Sequence, residues 1–279
     1  MLKCCLYRDI PSTVPSSSPP AILAFGPFDP SGSSNLPANA ITASTLGCHV
    51  LSVLTALHVQ DTARLDDIHP LSPEMIDDQA RRLLEDMHVH AICVGPLYTT
   101  SAASVLAQIA ADYTDVPLVL HLGQLPDDSQ MEDADPDDTL AAILELLLPQ
   151  TDIVIADHTL LEQWRTQGML PGSNEPQQIL LDHGASWALS TAAPLRQGQH
   201  SYLLSNQDND TFHWPWAAPE ARLSDPDGPL VAAIAANVAR GLAIPQAVKQ
   251  AIATSHELTR RTFQPGMGHR LINRSTETK

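Results

Sequence analysis

The most regular feature of the chain is a recurrence of short, unbroken apolar runs, each followed by a stretch in which apolar residues return every three or four positions. AILAFG from Ala21, HVLSVLTAL from His49, AICVG from Ala91, VPLVLHLG from Val116, TDIVIADH from Thr151 and PQQILLDHG from Pro176 are runs of this kind. Their lack of alternation predicts strands buried on both faces of a sheet. Between them, LPANAITASTLG reads as a helix with Pro37 in its first turn and Gly47 beyond its end. SPEMIDDQARRLLEDMH reads as another, with Ser72 as N-cap and acids early, where the helix dipole favours them. TTSAASVLAQIAADY, TLAAILELLLP, the polar stretch from Leu160 to Gly168, and the segments from Leu230 to Leu242 and from Pro245 to Thr262 complete the set of expected helices.

Strands that alternate with helices imply right-handed crossovers and a mostly parallel sheet covered on both faces. The expected architecture is therefore one α/β domain over residues 21–279. Residues 1–20 end in PSTVPSSSPP, which propagates neither helix nor sheet and reads as a flexible leader. VQDTARLDDIHPLS and the acidic QLPDDSQMEDADPDD read as loops, and the shorter alternating pieces between Ser186 and Pro219 suit antiparallel hairpins. In a sheet of this type ligands lie at the carboxyl ends of the strands. The loops after Phe25, Leu57, Val94, Leu120, Ile155 and Leu181, with the turn before Leu230, are where functional residues are expected.

That last turn, LSDPDGPL, runs directly into an apolar helix, so its backbone N–H groups form an anion site. Asp225 and Asp227 compete for those same amides and repel a phosphate. Net charge points the same way: 15 basic against 32 acidic side chains leave −17, which argues against nucleic acid or an anionic membrane as partner. No apolar stretch reaches the roughly 18 to 20 residues of a membrane span. The four cysteines, Cys4, Cys5, Cys48 and Cys93, form no CxxC pair or disulfide-like framework, so a reducing cytoplasm is the expected location.

Four stretches, FDPSGSSNLPANAITASTLGCHVLSVLTALHVQDT, LLEDMHVHAICVG, AAIAANVARGL and FQPGMGHRLINR, resemble the hydroxymethylpyrimidine and phosphomethylpyrimidine kinases of thiamine biosynthesis. The resemblance implies a ribokinase-like fold, a small pyrimidine ligand, ATP with magnesium, and a possible homodimer. It implies that Asp29 and Gln60 hold the pyrimidine, with Gly32 keeping the loop close. A carboxylate and an amide match the donors and ring acceptors of an aminopyrimidine. Read without the resemblance, Asp29 makes an Asx-turn and Gln60 caps a strand.

Where that family reads DPSGGAGLQAD, this chain has DPSGSSNLPAN, so Ser33 and Asn35 replace glycines and Pro37 and Asn39 replace Gln and Asp. Asp-Pro-Val becomes His121, Leu122 and Gly123, Thr-Pro-Asn becomes Ala156, Asp157 and His158, and a nucleotide-side Lys is matched by Asp182. The catalytic Gly-[Thr/Ser]-Gly-Cys becomes Asp225, Pro226, Asp227 and Gly228. Gly228 thus stands at the position of the catalytic base, and Asp227 is the one substitute nearby. Phosphoryl transfer relies on positioned donors, so two readings follow: an ATP-dependent kinase with a rearranged base, or an inactive pyrimidine-binding sensor or regulatory protein.

A reading from the strand ends stands apart from the family. His121, His158 and His183 each close a run, with Asp157 and Asp182 beside two of them. Imidazole and carboxylate together suit zinc or another first-row metal, the alternative being polar side chains bonded to one another in space that a nucleotide would fill.

Overall fold

The structure is a computed structural model and describes residues 18–171, 174–196 and 198–275. Residues 1–17 of the expected leader lie outside it. The parallel centre of the sheet is built from β1 (Ala21–Phe28), β2 (His49–Gln60), β4 (Ala91–Val94), β5 (Leu118–Leu122), β6 (Ile153–Asp157) and β7 (Trp187–Arg196). Antiparallel strands border it: β3 (Leu65–Pro70) beyond β2, and β8 (Gln199–Asn206) and β9 (Thr211–Trp216) beyond β7. The order across the nine strands is β3-β2-β1-β4-β5-β6-β7-β8-β9.

The unbroken apolar runs have the cause expected of them. In β1, Leu23 and Phe25 join one core, while Ile22 and Ala24 join another on the opposite face. The first core is covered by α2 (Pro73–Asp86), α3 (Thr100–Asp112), α4 (Pro136–Ala142), α5 (His158–Gln167) and α6 (Pro176–Asp182). The second is covered by α1 (Asn35–Thr45), α7 (Gly228–Ala239) and α8 (Ile244–Arg260). All twelve residues of α7 are buried. A helix apolar on every side has to be enclosed, and its run of alanines lets the neighbouring backbones come close.

Helix starts follow sequence chemistry. Ser72 accepts from the Met75 amide, as expected, and Thr99 and Asp135 cap α3 and α4 through their side chains. The long helix expected over Thr139–Pro149 is instead a composite: α4 passes through a π-type turn at Ile143–Leu147 into a 3-10 turn at Leu148–Gln150.

Two expectations fail. The segment VQDTARLDDIHPLS is not a loop: β2 continues to Gln60 and β3 returns beside it through a turn in which Asp61 Oδ1 accepts from the amides of Ala63 and Arg64. Only Leu65 and Ile68 mark β3 as apolar, too few for the pattern to be seen. The second failure concerns PQQILLDHG, which is the helix α6 and not a strand. Pro176 sits in its first turn, Ile179, Leu180 and Leu181 are all buried, and Gly184 with φ +105° breaks the chain after it. A short apolar triplet does not distinguish a buried strand from one turn of buried helix. The sixth parallel strand is β7, inside the region assigned to hairpins.

Among the described residues no helix is long and apolar enough to cross a membrane. Cys48 and Cys93 are buried and unpaired.

Candidate functional site

A cavity of about 420 Å³ opens at the carboxyl ends of the parallel strands. Its lining includes His58, Gln60 and Tyr98, the acids Asp157, Asp225 and Asp227, and His121. Gly123, also in the lining, has no room for a side chain, because a Cβ there would stand 2.6 Å from Pro96 Cγ.

Asp29 does not line this cavity. It is 1% exposed, and its carboxylate accepts six hydrogen bonds, from the amide and the hydroxyl of each of Ser31, Ser33 and Ser34, at 2.7–3.1 Å. Burial alone would raise its pKa, but the bonds from Ser31, Ser33 and Ser34 outweigh it and leave the carboxyl below its ordinary value. Asp29 thus organises its own loop, as the Asx-turn reading has it. Gly32 with φ +69° and Asn35 with φ +54° supply the left-handed positions of that loop. Asn is among the residues that tolerate this conformation where the resembling pattern has glycine. A buried cation lies behind the loop: Arg274 donates to Thr42 Oγ1 at 3.0 Å and to the Ser33 carbonyl at 3.5 Å.

Gln60 does line the cavity, at the end of β2. Its Oε1 lies 3.0 Å from His58 Nδ1, and His58 Nε2 lies 3.1 Å from the Tyr98 hydroxyl. Burial lowers the pKa of His58, against opposing contributions from the Gln60 bond and the Asp29 charge, so the ring is neutral at pH 7. Sequence reasoning misses both His58 and Tyr98. His58 has a signal, since residues two apart on a strand share a face and place it beside Gln60. Tyr98, 40 positions away from His58, has none.

The start of α7 is where the acids act. Asp225 Oδ1 accepts from the Gly228 amide at 2.8 Å. This is the capping expected of Asp225, and it explains Gly228, where a Cβ would collide with the Asp225 carboxylate. Asp227 behaves differently: it occupies the N-cap position without capping, and its Oδ2 accepts from Thr191 Oγ1 at 2.9 Å. Burial raises the Asp227 carboxyl to about 7; the Thr191 bond opposes the rise, and the charges of Asp225 and Asp157 add to it. Pro226 and Pro229 bring no amide to this turn, and the Gly228 amide is taken. Three carboxylates and few free donors therefore face the volume in front of the helix.

The strand-end histidines do not assemble. His121, on β5, lines the cavity, and burial lowers its pKa against the charge of Asp225. Asp157 lines it too, but spends Oδ1 on the Leu160 amide as N-cap of α5. His158 is the first residue of α5 and is not part of the lining. His183 and Asp182 belong to the far end of α6, because that segment is a helix; exposed Asp182 accepts from Asn174 and Gln178. Among the described residues no group of three or more His, Cys, Asp or Glu side chains is arranged to hold a metal ion. The place beside β6 expected for Asp182 is occupied by β7, which presents Thr191, in register with Asp157, at a bulge where Ala192 has φ +55°.

The family model described as Phosphomethylpyrimidine kinase matches residues 29–273. A hydroxymethylpyrimidine/phosphomethylpyrimidine kinase of Mycobacterium leprae is 22% identical over 271 residues, covering 93% of this chain and 95% of the relative. The protein of that name from Streptomyces coelicolor is 27% identical over 252 residues, covering 85% and 87%. Among solved structures, phosphomethylpyrimidine kinase from Clostridium difficile superposes with a TM-score of 0.69 at 18% identity, covering 85% of this chain and 99% of that one. An ADP complex of Bacillus subtilis pyridoxal kinase gives a TM-score of 0.78 at 15% identity, covering 92% and 98%. The fold is ribokinase-like, as expected.

Proposed function

Because the chain belongs to the phosphomethylpyrimidine kinase family, we propose that it retains that family's pyrimidine pocket while having lost most or all of its phosphoryl transfer, and acts as a binding or regulatory protein for a hydroxymethylpyrimidine-type ligand. The observation that carries this reading is the Asp225 carboxylate seated on the Gly228 amide. A helix N-terminus receives phosphate through free amides and positive potential. Here the amide is occupied by a fixed anion, two prolines remove further donors, and Asp157 and Asp227 stand alongside. ATP, which the family implies, does not fit this turn. Asp157, Asp225 and Asp227 line the cavity without forming a group that would hold magnesium, and nothing in the turn would hold the phosphates that the ion has to bridge.

On the pyrimidine side, the cavity presents Gln60 with His58 and Tyr98 behind it, polar groups within a lining that also includes Pro96, Leu122 and Leu160. A small heteroaromatic ring with an accepting edge suits such a wall. Asp29, already saturated by its own loop, contributes charge rather than a hydrogen bond.

A second reading, an ATP-dependent hydroxymethylpyrimidine kinase, is favoured by one observation. Asp227, raised to about 7, has the protonation behaviour of a general base. A turnover assay separates the two: purified protein with 4-amino-5-hydroxymethyl-2-methylpyrimidine, ATP and magnesium, with product followed by chromatography. No phosphorylated product over many hours is expected. Multiple turnovers that vanish in Asp227→Asn would establish the kinase reading instead.

A further inference from the structure

The wall around Gln60 contains a hydrogen-bond chain, and one direction along it satisfies every member within the protein. Tyr98 is 7% exposed, and its hydroxyl has a single partner among the described residues, His58 Nε2 at 3.1 Å. His58 is likewise 7% exposed, and its other nitrogen meets Gln60 Oε1 at 3.0 Å. A neutral imidazole carries one donor and one acceptor. If Nε2 carried the proton, it would point at the phenol oxygen and leave the Tyr98 O–H without an acceptor among the described residues, dependent on whatever fills the cavity it lines. If Tyr98 donates to Nε2, every member is satisfied: the His58 proton sits on Nδ1 and is donated to Gln60 Oε1. The amide oxygen of Gln60 is then turned toward His58, and its NH2 group is left for the cavity.

We propose that Tyr98 and His58 are positioning residues that lock the Gln60 amide with its NH2 toward the cavity, so that the ligand edge recognised there must be a hydrogen-bond acceptor, such as an unprotonated ring nitrogen, and not an N–H. This deepens, and rests on, the reading of the cavity as a pyrimidine site. The ring nitrogens of an aminopyrimidine meet the requirement. The lactam form of a pyrimidinone presents an N–H on the same edge and does not. Burial keeps His58 neutral, which preserves the single direction of the chain near neutral pH. In the Tyr98→Phe variant nothing donates to Nε2, so the ring and the amide are both released to turn over.

Two measurements on the full chain test this. Nitrogen NMR of histidine-labelled protein at pH 7, with the His58 signals assigned by their loss in His58→Asn, reads the tautomer directly. The proton is expected on Nδ1 in the wild type, with that dominance lost in Tyr98→Phe. A wild-type ring protonated on Nε2, or a doubly protonated one, overturns the proposal. Calorimetry then compares 4-amino-5-hydroxymethyl-2-methylpyrimidine with its 4-oxo analogue. The wild type should prefer the amino compound by roughly tenfold or more, and Tyr98→Phe should reduce that preference to about threefold or less. An unchanged preference in Tyr98→Phe also overturns the proposal. If neither compound binds the wild type, the pyrimidine reading fails, while the tautomer still decides whether the chain runs as stated.

Discussion

Replacing Asp227 by Asn isolates the most perturbed carboxyl of the cavity. In the folded protein this group titrates at about 7, against an ordinary value of 3.8, chiefly because it is buried and also because Asp225 and Asp157 repel its charge. The acid is raised on folding, so the unfolded chain ionises first. The stabilisation is complete below pH 3.8, fades as pH rises, and is gone above about 7. The difference between about 7 and 3.8, at about 1.4 kcal/mol per pH unit, places a ceiling of about 4 kcal/mol on the stability surrendered across that window. Relaxation around the half-buried residue will lower that figure. Asn keeps an oxygen that accepts from Thr191 Oγ1 and has no charge to gain. Urea unfolding at pH 5.5 and pH 8 provides the assay, and taking the difference between variant and wild type at each pH cancels the other titrating groups. Asp227→Asn should be more stable than the wild type at pH 8, and its advantage should shrink by more than about 1 kcal/mol at pH 5.5. An advantage that is equal at the two pH values would refute the assignment of this carboxyl as buried and raised.

Other expectations concern the neighbouring residues. Asp225→Ala removes a helix cap and should cost about 0.5–2 kcal/mol in chemical denaturation. Gly228→Ala should cost roughly 1–3 kcal/mol in the wild type, where its Cβ meets the Asp225 carboxylate, and distinctly less in an Asp225→Ala background; additive costs in a double-mutant cycle would contradict the contact. Gln60→Ala should weaken 4-amino-5-hydroxymethyl-2-methylpyrimidine by roughly 1–3 kcal/mol in calorimetry, and equal affinity would remove Gln60 from the site.

What could be read from the sequence depended on how far each signal reached along the chain. The runs at Ala21, Ala91, Val116 and Thr151 became strands because burial on both faces leaves a continuous apolar signature. Ser72 was legible as a cap because capping is local. The triplet Ile179–Leu180–Leu181 was misread because helix and strand bury three adjacent residues alike, and the error carried Asp182 and His183 to a strand end they do not occupy. Asp225 was legible as a competitor for the amides of α7, since it lies three residues before the amide it takes. The partner of Asp227 was not: Thr191 comes from a strand 36 positions earlier, and only the sheet order brings the two together. The Tyr98–His58 contact was hidden for the same reason. The occupancy of Asp29 by Ser31, Ser33 and Ser34 was implicit in a serine-rich loop, where short side chains hydrogen-bond nearby acceptors.

Paired calorimetric titrations of the wild-type chain test most directly whether ligand recognition has been kept and nucleotide recognition lost. One is made with 4-amino-5-hydroxymethyl-2-methylpyrimidine and the other with ATP and magnesium, each repeated with the partner compound already present. The pyrimidine should bind with and without nucleotide, while ATP with magnesium should give no saturable heat even with the cavity occupied by pyrimidine. Saturable ATP binding that tightens when pyrimidine is present would contradict the loss of nucleotide recognition and show that the turn at Asp225–Gly228 still accepts phosphate.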